Sequence, residues 1–115
     1  MEGNTVFKSP AKGKMTTSNV LSVCAAAGMK VPCYDNSHSD SNCVVIHSSS
    51  SIFYEMKNVL CKGLENKDCQ PLQNLFAYVK TDTNWGTGQR ESCGFVDGYC
   101  RPGKDYSNKH ALCFI

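Results

Sequence analysis

Eight cysteines, Cys24, Cys33, Cys43, Cys61, Cys69, Cys93, Cys100 and Cys113, are spread through a chain of 115 residues, and no two of them stand close enough to share one tight turn. Structural zinc sites draw two thiolates from such a turn, in a Cys-x2–4-Cys pattern, and thioredoxin-type exchange places its thiols with two residues between them. The shortest spacing here is Cys93-x6-Cys100. The pattern is therefore that of structural disulfides, and the even count allows every cysteine to pair, giving four bridges. Each bridge restricts the unfolded chain and adds about 2–4 kcal/mol of stability, enough to offset a thin core. Such a framework persists only where thiols are not kept reduced, so the expected location is secreted or cell-surface. Eight cysteines permit on the order of a hundred pairings, and spacing alone selects none of them.

The length suits one modest hydrophobic core. Twelve basic and ten acidic residues leave a net charge of +2, with the signs interleaved, so no strong field for nucleic acid is present. No apolar run approaches the roughly 18 residues that would cross a bilayer, so membrane insertion is not expected. No apolar run of a secretory leader follows Met1. A secreted chain would have shed its leader, and the domain is expected to be a piece of something larger.

Residues 1–15 hold Gly3, Pro10, Gly13 and three lysines, Lys8, Lys12 and Lys14, with few large apolar groups. They read as a linker or disordered tail before a single disulfide-stabilised domain over 16–115. A hydroxyl among Thr16, Thr17 and Ser18 caps a short helix whose face is Val20, Leu21, Val23, Cys24 and Ala27, and Gly28 ends it. Pro32 holds Val31 in extended backbone. The β-branched run Cys43–His47 reads as a buried strand. Ile52 to Leu64 reads as a second helix capped by Ser51. Leu75 to Thr81 reads as a strand, Asp97-Gly98 as a tight hairpin turn, and Ala111 to Ile115 as a closing strand. With helices and strands in irregular order and no βαβ alternation, the expected fold is a small disulfide-rich α+β domain. Its sheet would be antiparallel, with one or two short helices.

The segment Asp82 to Glu91 stands out chemically. Trp85, the lone tryptophan, lies beside Asp82, Asn84, Arg90 and Glu91, and Gly86 and Gly88 let the backbone approach a ligand closely. An aromatic face among in-plane donors and acceptors suits a sugar ring or a protein hot spot. The competing account is that Trp85 packs in the core. A second polar loop, Asp35 to Asn42, is rich in oxygen ligands. It lacks the EF-hand glycine at its sixth position, Asp40, and the glutamate at its twelfth, Ile46, so an irregular calcium loop is the only cofactor reading it offers, and no cofactor is expected. His38, His47 and His110 have no metal-ligand spacing. Ser48 to Ser51 follow His47 but lack a nucleophile elbow, so no catalytic residue is assigned.

The ending Leu112-Cys113-Phe114, behind a tryptophan loop, resembles the close of a C-type lectin domain. The Trp-Ile-Gly-Leu-like strand and the Glu-Pro-Asn or Gln-Pro-Asp sugar motif of that family are both missing, so the chain is not assigned to it. The expected role is a non-enzymatic recognition module, binding a glycan in a lectin-like manner or a protein through its polar loops. Its alternatives are a toxin-like effector acting on a receptor and a small secreted hydrolase.

Overall fold

The computed structural model describes residues 5–36, 40–47, 51–62, 64–65, 68–79, 92–96 and 100–115, the side chains of Cys93, Phe95 and Cys100 excepted. The elements run β1 (Val6–Pro10), α1 (Thr17–Ala26), β2 (Val31–Pro32), β3 (Cys43–Val44), α2 (Ile52–Leu60), β4 (Leu75–Ala77), β5 (Cys93–Phe95), β6 (Cys100–Pro102) and β7 (His110–Phe114). Five of the strands form one sheet in the order β1-β7-β4-β5-β6, and β2 and β3 form a separate pair. The fold is a small disulfide-rich α+β domain, as its irregular helix and strand order implies.

The sheet is mixed and not antiparallel throughout. β7 runs antiparallel to β1, with Val6 opposite Phe114 and Pro10 opposite His110, but parallel to β4, with Leu75 opposite His110 and Phe76 opposite Ala111. A parallel neighbour needs a long crossover. Here the crossover is everything between β4 and β7, including the antiparallel strands β5 and β6.

Strand alternation sorts the core into two halves. Successive side chains on a strand point to opposite faces. Leu75, Ala77, Val79 and Leu112 accordingly pack with Ile52, Phe53 and Met56 of α2, whereas Phe76, Tyr78, Ala111 and Cys113 pack with Val20 and Cys24 of α1. The two helices thus cover opposite faces of the sheet. This double cover explains why β4 and β7 read as unbroken apolar runs: both their faces are buried.

Helix limits follow local chemistry. The Thr16 hydroxyl accepts the Asn19 amide at 3.2 Å to start α1, and Gly28, at φ +73°, supplies the left-handed residue that ends it. The Ser51 hydroxyl accepts the Tyr54 amide at 3.0 Å to start α2. α2 stops at Leu60, with Cys61 as its last cap, sooner than Leu64.

The structure departs from the sequence expectation at two further segments. The segment 5–15 is not a tail: Val6–Pro10 is an edge strand on β7, Ala11 is buried and Met15 is fully enclosed. Its lysines and proline mimic a linker because an edge strand needs a partner on one side only, and both residue types are tolerated there. The run Cys43–His47 is not a buried strand. Only Cys43–Val44 is extended, in a short parallel pair with β2, and Val44 and Val45 are exposed. Branched side chains favour extended backbone without fixing which side of the molecule it occupies.

Three bridges join the described cysteines. Cys24–Cys113 ties α1 to the interior strand β7, Cys33–Cys43 closes the loop between β2 and β3, and Cys61–Cys69 closes the loop that follows α2. The side chains of Cys93 and Cys100, placed on the adjacent strands β5 and β6, lie outside the described residues.

Candidate recognition site

Asp82, Asn84, Trp85, Arg90 and Glu91 all lie outside the described residues. What is described is the stem from which their segment leaves and to which it returns, and both ends of that stem are held inside the fold.

At the departing end, Tyr78 and Val79 continue from β4 and are buried. The Thr17 hydroxyl, in the first turn of α1, donates to the Val79 carbonyl at 2.7 Å. At the returning end, Ser92 is fully buried; its hydroxyl donates to the Met15 carbonyl, and its own carbonyl accepts the Gly103 amide at 2.8 Å. Gly103 is required at that contact, because a Cβ there would overlap the Met15 carbonyl and the Ser92 hydroxyl. Met15, at the end of the lysine-bearing start of the chain, therefore supplies a partner to the returning end of that stem.

The Asp35–Asn42 loop is brought to the same place. The Tyr78 hydroxyl donates to Asp40 Oδ2 at 2.6 Å, and Asn42 Nδ2 donates to the Tyr78 hydroxyl at 3.3 Å. The other Asp40 oxygen accepts the Asn42 amide at 2.8 Å. Asp40 thus uses both carboxylate oxygens inside the protein. Among the described residues no group of three or more His, Cys, Asp or Glu side chains gathers as a metal site would require; His38 lies outside them. The bridge Cys33–Cys43 closes the loop at its base, with a sequence separation of 10. Tyr78 as an anchor left no mark in the sequence beyond being a tyrosine at the end of an apolar run, a position where a buried ring needs a partner for its hydroxyl.

A second polar cluster surrounds His47, which is 9% exposed. Neither ring nitrogen has a hydrogen-bond partner among the described residues, and the same holds for Glu55 Oε2 and for His110 Nδ1. Burial holds the His47 pKa below its ordinary value, opposed by the charge of Glu55, the nearby Tyr34 backbone and the charge of Asp35. Burial likewise raises the Tyr34 phenol, against a hydrogen bond with the Ser51 side chain. Ser51 is committed to that bond and to capping α2. Its hydroxyl is a structural group, and Ser48 to Ser50 lie outside the described residues.

No helix among the described residues is long and apolar enough to cross a membrane. No protein-family model, curated protein or solved structure matches the chain.

Proposed function

We propose that this chain is an extracellular recognition module that binds a glycan or a protein partner through the Asp82–Glu91 segment together with the Asp35–Asn42 loop. The observation that carries the reading is the shared root at Tyr78. One polar loop is hydrogen-bonded to that residue, and the other segment begins four residues beyond it in the chain. Loops held at their bases by bridges and buried hydrogen bonds lose less conformational freedom on binding, so more of the contact energy appears as affinity. Trp85 supplies the stacking or buried face, and Asn84, Arg90, Glu91 and Asp82 supply directional polar contacts. Three bridges in a chain of this size accord with the oxidising extracellular compartment.

A glycan array and a panel of extracellular proteins, each run with and without calcium, test the reading. Wild-type binding to at least one probe is expected, with Trp85→Ala reducing it at least tenfold while circular dichroism shows the fold intact. Equal binding by the folded Trp85→Ala protein rejects the assignment.

A further inference from the structure

A cavity of about 230 Å³ opens between the edge strand β1 and α2, on the α2 side of the sheet. Val6, Phe7, Met56, Leu60, Leu75 and Leu112 are among its walls, and Lys8 is the one charged residue lining it among the described residues. Phe7 and Leu60 form half-open lips, 38% and 49% exposed. An apolar socket with a single cation selects for a ligand that is apolar along its length and anionic at one end. From this the geometry points to a binding site for a free short-chain aliphatic carboxylate, its chain lying along Val6, Leu60 and Pro71 over a buried floor of Met56, Leu75 and Leu112 and its carboxylate meeting the Lys8 ammonium.

Size and charge both argue for that occupant. At about 30 Å³ for each water-sized unit, the cavity holds seven or eight such units, and so a chain of about six carbons with its carboxylate. It falls below the roughly 300–1,000 Å³ typical of sites for drug-sized molecules. The Lys8 ammonium donates to the Gln73 carbonyl at 2.6 Å. An ammonium has three donors, so two remain to meet a carboxylate. Burial lowers the Lys8 pKa from its ordinary value; an anion beside it favours the charged form, whereas a second cation disfavours it. Among the described residues no acidic side chain lines the cavity to compete with the ligand. The site is built from elements other than the Asp82–Glu91 segment and does not depend on the recognition reading above.

Nuclear magnetic resonance titration of the intact chain with hexanoate, hexan-1-ol and hexylammonium tests the assignment. Hexanoate should give saturable shifts at the Met56, Leu60 and Leu112 methyls and the Phe7 and Lys8 amides, binding at least fivefold tighter than hexan-1-ol, with hexylammonium weakest. Lys8→Met keeps the apolar stem and removes the charge; it should bring hexanoate to the affinity of hexan-1-ol and leave the alcohol unchanged. Trp85→Ala should leave hexanoate binding as in the wild type. The proposal is overturned if hexanoate produces no saturable shift at these residues, if carboxylate and alcohol bind equally to the wild type, or if Lys8→Met binds hexanoate undiminished.

Discussion

His47 shows how a single side chain couples this fold to pH. Its imidazole is buried with both nitrogens unpaired among the described residues, so the folded protein disfavours the cation, and its pKa lies below the ordinary 6.5. The unfolded chain then binds a proton more readily than the folded one. The stability due to neutral His47 is fully present above about pH 6.5 and is lost as the pH falls from there toward the lowered folded value. Urea denaturation between pH 7.5 and 5 should show this decline. His47→Leu should flatten that part of the profile and change stability at pH 7.5 by no more than about 1 kcal/mol, because replacing an unpaired buried polar group with an apolar one of similar bulk costs little. An undiminished acid slope in His47→Leu would assign the decline to other groups. The sequence marks His47 only as the neighbour of Ser48 to Ser51; its burial depends on what packs over it and not on its neighbours in the chain.

At the scale of elements, legibility followed local chemistry. α1 and α2 begin at hydroxyl caps because a Thr or Ser side chain can satisfy a free amide within its own turn, information that needs no distant partner. Ser51→Ala should lower stability by about 1 kcal/mol, measured from the shift in the denaturation midpoint at constant slope; no shift would mean that another group satisfies the Tyr54 amide. β7 was legible for a different reason, its unbroken Ala-Leu-Cys-Phe run, and so was the apolar stretch of β4. β1 was not legible. Val6–Pro10 is extended only because β7 lies beside it, and its Lys8 and Pro10 carry the same local signals as an unstructured linker. The short extent of β3 has the same origin: Val44 and Val45 favour extended backbone, yet among the described residues no further strand pairs beside them to prolong it.

For the whole molecule, the bridge between Cys24 and Cys113 matters most, since it links positions 89 residues apart, whereas Cys61 and Cys69 are only 8 apart. In the chain-entropy account, loops of these lengths are worth about 4–5 and about 2.5 kcal/mol respectively. Replacing Cys24 and Cys113 together by alanine should therefore destabilise the domain by about 2 kcal/mol more than replacing Cys61 and Cys69, as read from reversible denaturation of each double variant. Equal losses would show that the long bridge acts on the native packing and not on the unfolded chain. The amino-acid sequence by itself determined that sulfur would staple this chain and that two capped helices would accompany an irregular set of strands, because composition, capping and side-chain period act within a few residues. Only the tertiary structure decided which described cysteines pair, that β4 and β7 run parallel, that the lysine-bearing start is an edge strand walling an apolar cavity, and that Tyr78 ties one loop to the root of the other. Each of these depends on contacts between residues far apart in the chain, where local preference carries no information about the partner.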